Sequence, residues 1–408
     1  MRRIWQRLHR YLGLSAALFL LLAGVTGSII AYQQELDAWL NPELFRSPAR
    51  GTVLSTGRLL ERLQSQLPQY GIVSVPLQRE EGRSVRISVR PRLGAAAAGA
   101  EADELFVDPV DGKLLGSRLW GTCCFERKHL IPFIYVLHYS LQLPGEYGLW
   151  IMGTAALVWL LESLIGFYLT LPKRRQSRGI LPKTPPDCRD DQQTWLQRWS
   201  KAWRIKPNAG ALRLSFDLHR TLGLWLLSVM LVLAVSAVSL NLRDAVFEPA
   251  VSVFSEFTPS PFDAREARLD LPPVEAEIAF ADLLQIADGE AAKRGWRKPP
   301  YSIFYNADYG IFGVGYGDNQ GLGPWYLYFD GESGACLGDY VPGSGTAADV
   351  FEAWQLPLHS GQVAGLPGRI LISLSGLSLV VLIVAGLQVW LGKRKAELSK
   401  AGKFRPKK

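Results

Sequence analysis

The sequence predicts an α-helical membrane protein with α+β parts outside the bilayer. Four transmembrane helices fall into two parallel-repeat halves, each carrying an extracytoplasmic domain. Three observations predict this. Charged residues make up only 20% of the chain and the mean hydropathy is slightly positive, an unusual balance for a wholly aqueous protein. Four apolar stretches, Tyr11–Tyr32, Leu149–Leu171, Thr221–Leu240 and Ile370–Leu391, reach the roughly 20 residues that a bilayer crossing needs. The phrase "QRLHRYLGL" at Gln6–Leu14 returns as "FDLHRTLGL" at Phe216–Leu224, each time at the head of one of those stretches.

The elements follow in order. Residues 1–32 form a basic N-terminus and first span; they follow Arg2 and Arg3 as a secretion signal would, but the apolar run is too long for a signal core. Residues 33–147 form a first aqueous domain and 148–172 the second span. Residues 173–218 are a basic loop, 219–241 the third span, 242–368 a second aqueous domain, 369–391 the fourth span and 392–408 a basic tail. Within the aqueous parts, "TGRLLERLQSQL" and "FADLLQIADGEAAKRG" have helical apolar spacing, whereas "SVRISVRP", "YSIFYN" and "WYLYFD" alternate with period two. "PRLGAAAAGAEADE" reads as a connection and "RLDLPPVEAE" as a linker. "GIFGVGYGDNQGLG" has closely spaced glycines but no following helix, so it reads as strand-turn-strand and not as a phosphate cradle.

Charge orients the layout. Residues 1–10, 173–206 and 393–408 together carry +18, and the remainder of the chain −10. Positive flanks mark the cytoplasmic side, which places both termini and the middle loop inside and both large domains outside, in the periplasm of a bacterial cell. The basic residues are juxtamembrane, so the overall charge of +8 gives no case for nucleic-acid binding. The spans themselves imply a lipid partner.

The self-similarity extends beyond the opening phrase. "LFVDPVDGKLLG" (Leu105–Gly116) matches "LYFDGESGACLG" (Leu327–Gly338), "LHYSLQLPGEYG" (Leu137–Gly148) matches "LHSGQVAGLPG" (Leu358–Gly368), and "GFYLTLPKRR" (Gly166–Arg175) matches "GLQVWLGKRK" (Gly386–Lys395). Two halves of the same orientation are related by an axis along the membrane normal.

Of five histidines, His9, His129, His138, His219 and His359, all but His129 fall at matched places. His9 and His219 head spans one and three; His138 and His359 precede spans two and four. Symmetry brings His9 towards His219 and His138 towards His359. Opposed imidazoles without thiol or carboxylate companions suit a six-coordinate haem iron better than the four-ligand cage of zinc. Gly13 and Gly223 lie four residues after His9 and His219, where a missing side chain would let a porphyrin approach; helix packing is the competing explanation. No Cys-x-x-Cys-His occurs, so two non-covalent haem b groups are expected. His129, without a counterpart in the second half, reads as structural, with a substrate-side role the open alternative. Glu162 is an ionisable group inside span two, with Leu382 at the matched position; it either serves the cofactor or bonds a neighbouring helix. The cysteines are Cys123, Cys124, Cys188 and Cys336, and a bridge from Cys336 to Cys123 or Cys124 stays open at this level.

The "HRYLGL" start, the four spans, the duplicated units and the "LHYSL" and "LHSG" motifs resemble the PepSY-associated transmembrane family over essentially the whole chain. That family includes bacterial inner-membrane ferric-siderophore reductases. The resemblance implies PepSY-like outer domains, a ligand role for His9, His138, His219 and His359, and an oxidoreductase passing electrons outward to an Fe(III)-siderophore for iron uptake. No flavin or nicotinamide fingerprint is present, so the electron donor would be external: a reductase, a quinol or a reduced flavin. Two other readings remain open: a conduit to a different periplasmic redox partner, and a non-redox membrane scaffold or transporter accessory. Catalytic residues as such are not identified.

Overall fold

A computed structural model describes residues 1–92, 101–173, 193–268 and 274–403. The chain forms two compact units. One holds residues 1–31, 138–246 and 370 onward; the other holds 32–137 and 247–369. Cys188 and most of the basic middle loop lie outside the described residues, as do parts of the 91–104 connection and the 268–277 linker.

The first unit is helical. Among the described residues, three helices are long and apolar enough to cross a membrane: α1 (Arg2–Ile30), α4 (Tyr147–Thr170), and α8 (Gly365–Lys403), whose spanning stretch lies within Gln362–Ser399. The remaining helices needed below are α2 (Thr56–Gln66), α3 (Arg127–Ser140), α5 (Ala211–Trp225), α6 (Leu227–Asn241) and α7 (Phe280–Lys293). The sequence predicts one straight span over 219–241. The structure has instead α5 and α6 meeting at a 70° bend. At the bend Leu226 takes φ −98° and ψ 6°, a sparsely populated conformation that redirects the chain without proline. A fourth crossing therefore exists only if this bent pair is one passage.

Apolar residues such as Leu18, Leu161, Leu164, Leu374 and Leu377 stay exposed on the long helices, the side-chain distribution of helices that meet lipid. Inside the unit, Ala16 and Leu20 pack with Met230, Leu379 and Ile383. Small residues set the closest approach: a Cβ on Gly24 would stand 2.8 Å from the Gly376 carbonyl oxygen. Beside it, Ser28 Oγ donates to the Ser373 carbonyl at 2.9 Å, and Ser373 Oγ donates to the Ser28 carbonyl at 3.2 Å. Close backbones with bridging hydroxyls are how helices associate where no hydrophobic drive exists between them.

The second unit is built on one antiparallel sheet of eight strands, in the order β4-β3-β2-β1-β5-β6-β7-β8. The strands are β1 (Tyr70–Pro76), β2 (Val85–Pro91), β3 (Glu104–Val107), β4 (Leu114–Arg118), β5 (Pro300–Asn306), β6 (Ile311–Tyr316), β7 (Trp325–Asp330) and β8 (Cys336–Tyr340). Residues from both aqueous segments thus share one sheet. β1 meets β5 over Ser74–Pro76 and Ser302–Phe304. The period-two residues Val85, Ile87 and Val89 point to the same buried side as Ile303 and Tyr305, where Leu59, Leu60 and Leu63 of α2 and Leu283, Ala287 and Ala291 of α7 close a single core. Their i, i+4 spacing puts each helix's apolar stripe against the sheet.

The glycine-rich stretch is β6 and its turn, as the sequence predicts. Gly313 and Gly315 are required by their cross-strand neighbours: a Cβ on Gly313 would lie 2.3 Å from the Phe304 ring, and one on Gly315 3.0 Å from the Tyr326 ring. The matched "VDPVDG" and "FDGESG" stretches also build matched turns. Asp108 accepts from the Val110 and Ala49 amides, and Asp330 from the Glu332 and Ser333 amides. For Asp330, burial alone would raise the carboxyl's pKa, but the Ser333 amide and Arg265 outweigh it and hold it far below its ordinary value. An acid with a depressed folded pKa contributes stability above its unfolded value, and that stability is lost as pH falls. Unfolding of this unit should accordingly become easier below about pH 4, and Asp330→Asn should flatten that dependence. Equal acid sensitivity in the two proteins would refute the assignment.

Candidate functional site

The first unit gathers His9 from α1, Glu162 and Gly166 from α4, His219 from α5, and Leu382 and Gly386 from α8. The His9 and His219 ring centroids are 6.0 Å apart with an interplanar angle of 60°. That separation alone also describes an ordinary edge-to-face ring pair. The surroundings of each ring are more informative, because they repeat.

His219 Nδ1 lies 2.9 Å from the Leu382 carbonyl oxygen. A carbonyl only accepts, so Nδ1 carries the proton and Nε2 carries the lone pair. His9 Nδ1 lies 2.6 Å from Glu162 Oε2, a close contact whose alignment falls outside that of a hydrogen bond. Glu162 and Leu382 are matched positions of the two halves of the sequence. One uses its side chain and the other its main chain against the same imidazole nitrogen.

The glycines complete the pattern. A Cβ on Gly166 would stand 3.3 Å from His9 Cε1, and one on Gly386 3.0 Å from both Cε1 and Nδ1 of His219. Each imidazole therefore sits in a notch left by a glycine on the neighbouring long helix. Of the glycines that follow the two histidines, a Cβ at Gly13 would meet Glu162 Oε2 at 3.1 Å, whereas one at Gly223 would make ordinary contact with the Leu382 side chain at 3.5 Å.

His138 is built the same way. Its Nδ1 lies 2.9 Å from Thr26 Oγ1, whose own proton goes to the Leu22 carbonyl at 2.7 Å. The hydroxyl must therefore accept from His138 Nδ1–H. A Cβ on Gly27 would lie 3.0 Å from His138 Cε1. His359 lies in the second unit, half-buried in the short helix Gln355–Ser360. His129 is buried in the second unit, and its Nδ1 has no hydrogen-bond partner among the described residues.

Thr26, Gly27, Gly166, Gly386 and the Leu382 carbonyl are site members that the sequence reading does not single out. Gly166 and Gly386 open two of its matched segments, which was the available signal. The main-chain acceptor has none.

The donor set fits a metal held between imidazoles. Ligand histidines characteristically give their second nitrogen's proton to a carboxylate, carbonyl or similar acceptor, which fixes tautomer and ring orientation. Metal–imidazole bonds of about 2 Å, with ring centres about 1.1 Å behind each nitrogen, put two such rings about 6 Å apart. Among the described residues, no three His, Cys, Asp or Glu side chains converge as a cation cage.

The cysteines can also be placed. Cys123 and Cys124 follow β4 at one edge of the sheet, and Cys336 opens β8 at the other; all three are free thiols. Cys336 Sγ is 3.6 Å from an Arg294 nitrogen, while the Cys123 and Cys124 sulfurs touch each other at 2.8 Å. No bridge to Cys336 is formed.

No curated protein matches this chain. The model of the PepSY-associated TM region matches residues 6–393, a stretch that includes His9, Glu162, His219 and Leu382, and the chain belongs to that family of membrane proteins.

Proposed function

We propose that this chain is a haem-b transmembrane electron-transfer protein acting as a ferric-siderophore reductase. The observation that carries the reading is the repeated holder around His9 and His219: imidazoles with ring centroids 6.0 Å apart, Nδ1 of each against an oxygen at a matched position, and each ring in a glycine notch. Bound there, haem b would supply a one-electron couple inside the bilayer. The chain's own part is to present Nε2 of both histidines, to fix the His219 tautomer through the Leu382 carbonyl, and to set the Glu162 carboxyl against His9 Nδ1.

His138, held by Thr26, and His359 complete the proposed ligand set by motif. Two centres suit the task because the hydrocarbon core is about 30 Å thick, beyond one practical electron step. The reading includes four crossings in two parallel-repeat halves, with α5 and α6 as one bent passage. It also includes an inner-membrane location in bacteria with both termini cytoplasmic, an external donor, and reduction of Fe(III) to the weakly chelated Fe(II) on the outer side.

The test is spectroscopic. Chain purified after haem-sufficient expression should show a Soret band and, once reduced, the sharp visible bands of a six-coordinate b-type centre; stopped-flow mixing with a ferric siderophore should reoxidise it. Absence of a Soret band would overturn the reading. A haem-loaded protein that ignores ferric chelates would retain the electron conduit and remove the siderophore.

A further inference from the structure

We propose that Cys123 and Cys124 form a redox-active vicinal dithiol that exchanges two electrons with external disulfides. The two sulfurs are in contact at 2.8 Å, with Cys123 exposed and Cys124 half-buried. They lie in the loop between β4 and α3, and that loop is pinned on both sides of the pair. Ahead of it, the Trp120 amide donates to Asp103 Oδ1 at 2.8 Å. Gly121 turns at φ +77° against Val136 of α3, a conformation that favours glycine. Behind it, the His129 amide donates to the Glu126 carbonyl at 3.0 Å, and Arg127 reaches Glu43 at 3.3 Å. Backbone held on both sides of the pair narrows the conformations in which the two side chains can part.

Hydrogen bonding to Cys123 pushes the Cys124 thiol above its ordinary pKa. First attack on an incoming disulfide therefore falls to Cys123, the more exposed residue. Its thiolate breaks the external S–S bond, forms a mixed disulfide and releases one thiol. Cys124 Sγ then attacks Cys123 Sγ, closing a bond across one peptide unit and releasing the second thiol. The pair loses two electrons and two protons, and the external disulfide gains both as two thiols. Cys336, at the far edge of the sheet, takes no part. This inference does not rest on the haem reading and stands or falls apart from it.

The full-length protein in detergent is equilibrated with glutathione buffers of graded redox poise, acid-quenched, alkylated and digested. Trypsin cleavage after Arg118 and Arg127 isolates both cysteines in "LWGTCCFER". The expected result is that both alkyl groups disappear together, giving a peptide lighter by two hydrogens and free of glutathione. Cys124→Ser should trap a glutathione adduct on Cys123, and Cys336→Ser should titrate as wild type. Independent titration of the two cysteines, stable glutathione adducts on the wild type, or a bond to Cys336 would overturn the proposal. On unmodified wild type, one equivalent of a trivalent phenylarsenical should block both cysteines together; failure to block them would also overturn it.

Discussion

His219→Ala and His9→Ala should each abolish one haem centre, lowering pyridine-haemochrome content from about two to about one per chain, because an iron between two imidazoles loses an axial ligand either way. Both substitutions cut into half-buried positions on α1 or α5, so folding is checked in parallel by size exclusion and far-UV circular dichroism. The graded companion is Glu162. Replacement by Gln keeps a polar oxygen against His9 Nδ1, whereas Leu, the residue at the matched position, removes it. Glu162→Gln should retain the haem with a shifted visible spectrum, and Glu162→Leu should bind it about 10- to 100-fold more weakly, the usual loss when a ligand's supporting partner is deleted. Haem content unchanged in both His variants would sink the pair as a ligand set. Unchanged affinity in Glu162→Leu would sink only the positioning role.

Arg118→Ala should destabilise the sheet-bearing unit by about 3–5 kcal/mol, the range for removing one partner from a buried ionic cluster. The Arg118 side chain is fully buried. Its Nε donates to Glu104 Oε2 at 2.6 Å, and its Nη1 donates to Asp37 Oδ1 and to the Lys128 carbonyl, each at 3.0 Å. Its guanidinium also lies over the Phe106 and Trp120 rings at 5.1 and 5.3 Å. Burial pushes the Asp37 carboxyl above its ordinary value, with Arg118 opposing that rise; without the arginine, two buried carboxylates face each other. Arg118→Lys should recover little, since one point charge cannot fork to two carboxylates and stack on two rings. Denaturant unfolding followed by tryptophan fluorescence checks this, and a change below about 1 kcal/mol would show the cluster to be dispensable.

The two clusters differ in how far sequence could reveal them. His9 and His219 were legible because duplication writes the same phrase twice and the chain has few other histidines. Glu162 stood out through its cost inside a span, but its contact with His9 depends on how two helices are rotated, which no local pattern encodes. Arg118 gave no signal: Asp37 lies 81 residues away, and Glu104, 14 residues away, meets it only through the pairing of β3 with β4. The same holds for the sheet. Alternation exposed several strands, and the repeated Asp turns joined them, but the β1–β5 seam is set by packing between distant segments. The bend at Leu226 was missed because uninterrupted apolar composition satisfies a straight span and a broken one equally.

That seam bears on how the protein is made. β1 emerges from the ribosome more than 200 residues before β5, a wait of roughly 10 to 50 s at ordinary elongation rates. Throughout that interval a four-stranded half-sheet keeps an open edge and leaves the residues that will meet α7 uncovered. Nascent chains arrested before residue 300 should therefore be held by chaperones or cut by proteases, and release should follow once the late strands dock.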